Sequence, residues 1–192
     1  MKTFKEHFEE SVNQTMTLWH GGNLNSEFTD SLAHKKGKWE YGPGLYLTTH
    51  YNTARKYSKG GRKLYQITIE RGLDLDDALI DTQKLYDFVT YHTIGNKKNI
   101  IKTSIAKYDD NGKTRASIFL NSIINNNAIK AAETNTLRKF LVDSGIDYSL
   151  VSSPFGWHEM MVVLFNMDKI IDKQIITPNT KIDVFDLPTE FR

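Results

Sequence analysis

Hydrophobic positions along this chain recur with two periods, and the switches between them mark out its elements. Phe4, Phe8 and Val12 stand four apart and predict a short amphipathic helix. Residues 15–20 alternate and are rich in strand formers, predicting a strand that ends at Gly21 and Gly22, where missing side chains let a ligand approach the backbone. Residues 23–38 are polar and predict a loop with a helical turn. Gly42, Pro43 and Gly44 then set a turn before the short apolar strand 45–47. A helix is expected over residues 52–58, stopped by Gly60 and Gly61. Residues 63–70 place Tyr65, Ile67 and Ile69 inward against Gln66, Thr68 and Glu70, the signature of a strand.

Helical spacing returns over residues 76–91 through Leu79, Ile80, Leu85, Phe88 and Val89. Residues 95–127 carry the weakest pattern, with a helix expected only over 116–124. Residues 133–144 predict a helix with Leu137, Phe140 and Leu141 on one face, closed by Gly145. A strand over 146–151, a turn-rich loop over 152–158 and an apolar strand over 159–165 follow. That last strand opens on a carboxylate, Glu159. Residues 170–176 predict a final strand, and the tail after Pro178 is expected to be peripheral. No internal repeat or linker interrupts the pattern, so residues 1–192 read as one domain.

Composition narrows the classes. At 39% hydrophobic the chain can bury a core, and its longest apolar runs, such as residues 160–165, are far too short to cross a bilayer. The first residues hold no apolar run of signal-peptide length. With no cysteine, disulfides, thiolate catalysis and Cys-ligated zinc are excluded. The six histidines are scattered without a His-x-x-x-His pair, so no metal is expected. A cytoplasmic protein without membrane partners is the default expectation. Net charge is +2, but unevenly spread. Residues 70–87 hold six acids against two bases, and residues 95–140 hold nine bases against three acids. The basic middle fits either a solvated helical face or a nucleic-acid contact.

Candidate chemistry centres on residues 39–58. Tyr46 and Tyr57 lie eleven apart, one on a predicted strand and one on a predicted helix, with Ala54 a turn before the second. Two such rings facing across a gap would hold a flat heteroaromatic by stacking; two tyrosines in a core are the plain alternative. Gly42 and Gly44 do not extend to a dinucleotide fingerprint, because Leu47 stands where the third glycine belongs and no βαβ unit surrounds them.

Taken together, Leu18-Trp19-His20-Gly21-Gly22, Gly44-Leu45-Tyr46-Leu47-Thr48-Thr49 with Ala54 and Tyr57, and His158-Glu159-Met160-Met161-Val162-Val163 resemble the His-Tyr-Glu ADP-ribosyltransferases, the diphtheria-toxin-like and poly(ADP-ribose)-polymerase-like type. The helix before Gly145-Ile146-Asp147-Tyr148 is similar to phage-type members, and the resemblance spans residues 15 to about 175. It implies an α+β fold with split, twisted antiparallel sheets flanked by helices and NAD⁺ lying between the halves. It implies that Glu159, His20 and Tyr46 form the catalytic set. NAD⁺ would be bound by His20, Gly21, Gly22, Tyr46, Thr48, Ala54 and Tyr57, with the Gly21 backbone on the nicotinamide carboxamide and His20 on the adenosine ribose.

The chemistry is coherent on its own terms. Cleaving the nicotinamide–ribose bond builds positive charge on the ribose, and a carboxylate on the 2′-hydroxyl stabilises it. Related toxins that modify arginine or asparagine carry Glu or Gln two residues before the catalytic Glu, where this chain has Trp157. Phe155 and Trp157 are therefore candidates for recognising another acceptor, protein or nucleic acid. A toxin or phage–host conflict effector, with an antitoxin or inhibitor partner, is the role expected by analogy. NAD⁺ hydrolysis to water, or NAD⁺ or ADP-ribose binding without turnover, are the alternatives.

Overall fold

A computed structural model describes residues 15–24, 40–60, 62–152 and 159–177. The expected helix at residues 4–12, most of the loop at 23–38, the loop residues 153–158 with Phe155 and Trp157, and the tail beyond 177 lie outside the described residues. The architecture is α+β, a six-stranded antiparallel sheet flanked by helices. Its strands are β1 (Thr15–Gly22), β2 (Leu45–Thr48), β3 (Lys63–Glu70), β6 (Tyr148–Ser152), β7 (Met160–Leu164) and β8 (Ile170–Ile176), in the order β6-β7-β2-β1-β3-β8. Two further short strands, β4 (Leu79–Asp81) and β5 (Lys113–Arg115), form a separate ribbon.

Pairing within the sheet is uneven. β1 and β3 pair along their whole lengths, from Thr15 opposite Glu70 to Gly22 opposite Lys63. β2 pairs with β7 from Leu45–Leu164 to Thr48–Met161. Between these blocks, β1 and β2 are joined at Trp19–Thr48 alone. The sheet is thus two blocks, β6-β7-β2 and β1-β3-β8, meeting at one residue pair.

Alternation explains the packing on each side. Leu45 and Leu47 join Met16, Leu18, Tyr65, Ile67, Ile69, Val162 and Leu164 in a core shared by both blocks. The opposite face of the β6-β7-β2 block presents Val163, which with Phe165 packs into a helical core. That core is built by α2 (Thr82–His92), α3 (Lys98–Lys107), α4 (Ala116–Asn125) and α5 (Thr134–Asp143). Over the β1-β3 block lies α1 (Tyr51–Tyr57), which seats Tyr51 and Ala54 on Trp19 and Leu64. Leu64 is therefore buried as fully as Ile67, and β3 covers a core on both faces.

Several expected boundaries shift for identifiable reasons. The helix read over 76–91 begins only at Thr82, because the Asp81 side chain accepts the Lys84 N–H and caps it there. The preceding Leu79–Asp81 is a strand paired with Lys113–Arg115. α3 was not legible: its buried residues are just Ile101 and Ile105, one turn apart among lysines and polar residues. α4 and α5 fall within a residue of expectation. The strand expected from residue 146 starts at Tyr148, because Asp147 is spent on other contacts. Its carboxylate accepts the Leu73 N–H and the Asn166 side-chain amide.

Candidate active site at the split between β1 and β2

Antiparallel register makes the split specific. Continuing from Trp19–Thr48, the pairs facing across would be His20 with Leu47 and then Gly21 with Tyr46, and neither forms. Instead the Tyr46 carbonyl oxygen takes the His20 Nδ1–H at 2.8 Å, so an imidazole replaces a ladder amide. The Thr49 N–H goes to Met160 O, so the bridge itself is closed by the Trp19 and Thr48 backbones. Two-residue alternation then points the Gly21 N–H and C=O the same way as those of Trp19, away from β3 and into the opening.

His20 lies across the ladder from Tyr65, with their ring centroids 6.2 Å apart. Burial lowers its pKa below the ordinary imidazole value, and the hydrogen bond to Tyr46 opposes that only in part. The ring is therefore neutral at physiological pH. With the proton on Nδ1, its Nε2 is an acceptor. A side chain at Gly22 would start 2.8 Å from that Nε2, so the glycine leaves the nitrogen approachable.

Gly21 also meets a neighbour that the sequence did not reveal. A Cβ there would stand 1.8 Å from the Ala54 carbonyl oxygen and 3.0 Å from the Ser58 nitrogen. The close approach is made by α1 against β1. Ala54 is buried and serves this contact. One turn on, Tyr57 ends α1 and is 50% exposed as a residue, so it is not a core residue.

Tyr46 is held on the other side of the opening. Its hydroxyl donates to Gly42 O at 3.0 Å and accepts from the Tyr41 N–H at 3.2 Å. Its ring rests on the helical core. Burial is the main cause that pushes its pKa up to about 12. The phenol is thus committed as a neutral brace, and what Tyr46 can offer a ligand is its ring rather than a proton. Gly44 is required here, since a Cβ would meet Leu164 O at 2.6 Å.

Glu159 lies just ahead of β7, only 3% exposed. The Thr48 hydroxyl donates to its Oε1 at 2.6 Å and accepts from the His50 N–H at 3.0 Å. Thr48 is therefore spent on orienting the carboxylate. Thr49, which sequence reasoning missed as a site residue, anchors the next residue: its hydroxyl accepts from Met160 N–H at 3.0 Å, while its own N–H donates to Met160 O at 3.0 Å. The pair of hydroxyls at a strand end was the available signal, but using it needed the β2–β7 register.

The structure thus brings His20, Gly21, Tyr46, Thr48, Ala54 and Glu159 to one junction. His20 and Glu159 do not touch; each engages β2, at Tyr46 and Thr48 respectively. Among the described residues no cluster of His, Asp or Glu is arranged to hold a metal ion, and no helix is long and apolar enough to cross a membrane. No protein-family model matches the chain, and no curated protein matches it. Among solved structures, the chain is similar to one described as "Crystal structure of an anti-CRISPR protein". The two share 15% identity at a TM-score of 0.43, over 85% of this chain and 97% of that one.

Proposed function

We propose that this protein is an NAD⁺-dependent ADP-ribosyltransferase of the His-Tyr-Glu type, built on the split-sheet fold of that family. The observation that carries the reading is the opening beside Trp19–Thr48, where the Gly21 backbone is unpaired with β2 and a buried carboxylate is held two residues from Tyr46. The Gly21 N–H and C=O suit a carboxamide, which needs one acceptor and one donor. Tyr46 and Tyr57 would stand on either face of the nicotinamide ring. Neutral His20, accepting through Nε2, suits a ribose hydroxyl.

Glu159, with Oε1 fixed by Thr48, would turn its second oxygen to the 2′-hydroxyl of the nicotinamide ribose. There it stabilises the positive charge that grows as the glycosidic bond lengthens. Nicotinamide leaves as a neutral base carrying the bonding electrons, and the acceptor attacks C1′. A toxin or phage–host conflict effector remains the role this chemistry would suit, by analogy.

The test is incubation with labelled NAD⁺ in cell lysate, comparing wild type with Glu159→Gln. The expected result is label on a macromolecule, together with nicotinamide release, both dependent on Glu159. Glu159-dependent nicotinamide release without label would instead make the protein an NAD⁺ glycohydrolase. Absence of both would overturn the reading.

A further inference from the structure

Residues 55–63 carry Arg55, Lys56, Lys59, Arg62 and Lys63, and all five are exposed. No acid occurs anywhere between Glu40 and Glu70. None of the five has an ion-pair partner among the described residues, whereas Lys139 pairs with Asp143 and Lys169 with Glu70. Two cations in the last turn of α1 are what a helix C-terminus favours. That accounts for Arg55 and Lys56 but not for Lys59, Arg62 and Lys63, which follow the helix.

Their position gives the cluster meaning. Lys63 faces Gly22 across the β1–β3 ladder, and Gly22 flanks the His20 Nε2. Ser58, in the middle of the run, packs against Gly21. Lys63 therefore stands beside the His20 end of the opening, and Ser58 ties the run that carries the other four cations to Gly21, while the β2 side holds the buried Glu159 carboxylate.

We infer that this basic rim holds the phosphate backbone of a single-stranded nucleic acid and that the ADP-ribose acceptor is a base of that strand. The inference rests on the transferase reading above and specifies its acceptor class. Five exposed cations in nine residues, with no acid between Glu40 and Glu70, suit a polymer of regularly spaced negative charge. A base buried in a duplex could not reach C1′ inside the opening, so the strand must be single or locally opened. In the transfer, the bond between nicotinamide N1 and ribose C1′ breaks and its electron pair leaves with nicotinamide. A bond forms from a base nitrogen or oxygen to C1′, and the displaced proton of the acceptor goes to water.

The experiment uses labelled NAD⁺ and fluorescent 20-nucleotide single strands of mixed sequence, one of DNA and one of RNA. Wild type is compared with R55Q/K56Q/K59Q/R62Q and with the charge-keeping R55K/K56R/K59R/R62K. At about −0.7 per phosphate neutralised, five contacts give a log–log salt slope of about −3.5, or roughly 10²-fold weaker binding between 50 and 200 mM salt. The neutral variant is expected to flatten that slope and lose oligonucleotide labelling, while keeping acceptor-free nicotinamide release and melting only slightly lower than wild type, as the two helix-end cations are lost. The charge-keeping variant should behave as wild type. The DNA and RNA arms show which sugar is accepted.

Label confined to lysate protein, or oligonucleotide labelling unchanged in the neutral variant, would overturn the inference and leave the transferase reading standing. No nicotinamide release from wild type would overturn both.

Discussion

The two banks of the opening are built on opposite plans. On the β2–β7 bank, polar groups are buried and committed: Thr48 to Glu159, Thr49 to Met160, and the Tyr46 hydroxyl to Gly42 and Tyr41. On the β1–α1 bank, closeness is achieved by absence. Gly21 lets the Ala54 carbonyl in, Gly22 keeps the His20 ring clear, and Tyr57 stands half exposed among cations. The first bank fixes a carboxylate and a ring by hydrogen bonds, which makes it costly to alter and precise in direction. The second leaves room and charge for something that arrives. A site that stabilises a developing charge needs the first kind of wall, and a site that admits a large substrate needs the second.

The contrast can be broken most severely at Glu159. Glu159→Gln keeps an oxygen for the Thr48 hydroxyl but removes the charge. Nicotinamide release should fall about 10²–10³-fold with little change in melting temperature. A rate within a few-fold of wild type would remove Glu159 from the chemistry.

Gly21→Ala attacks the other bank. The new methyl would overlap the Ala54 carbonyl, so α1 must shift, at a cost of about 1–3 kcal/mol in denaturant unfolding and with loss of NAD⁺ binding. An unchanged unfolding midpoint would show that the contact is not tight.

The two tyrosines should separate cleanly. Tyr46→Phe strands the Tyr41 N–H and loses the bond to Gly42 O, a stability loss of about 1 kcal/mol. Tyr57→Ala, at an exposed position, should leave stability within about 0.5 kcal/mol while weakening NAD⁺ affinity. Equal effects on stability would erase the distinction between the banks.

The smallest effect is in pH. The folded-state pKa of His20 lies below its unfolded value, so below about pH 6.5 the unfolded chain binds a proton that the folded one resists. His20 therefore costs stability as pH falls from about 6.5 toward its folded value and adds no slope above that range. NAD⁺ affinity should also drop in acid, as Nε2 turns from acceptor to donor. H20N should flatten both profiles relative to wild type.

Local pattern made some of this legible and not the rest. The limits of β3 match the expected residues 63–70, where alternation from Tyr65 to Glu70 carries the signal, and β8 matches the expected 170–176 although its isoleucines sit in pairs at its two ends rather than alternating. β1 runs on through both glycines, which alternation alone did not extend to. α3 escaped because two isoleucines one turn apart give too little signal when the rest of the helix faces water. At the site, His20, Tyr46 and Glu159 were found as residue types in order. What each is bonded to was not, because register across β1, β2 and β7 is a property of three distant segments at once. The role of Gly21 was half read: the need for no side chain was visible, but the helix that fills the space was not.

The central claim is that the opening beside Trp19–Thr48 receives nicotinamide on the Gly21 backbone. Titrating ¹⁵N-labelled protein with nicotinamide and following the Gly21 amide by NMR tests it directly. The account predicts a saturable Gly21 shift, shared by neighbours on β2, that is greatly weakened in Tyr57→Ala. A Gly21 amide that stays in place while nicotinamide moves resonances elsewhere, or moves none, would contradict it.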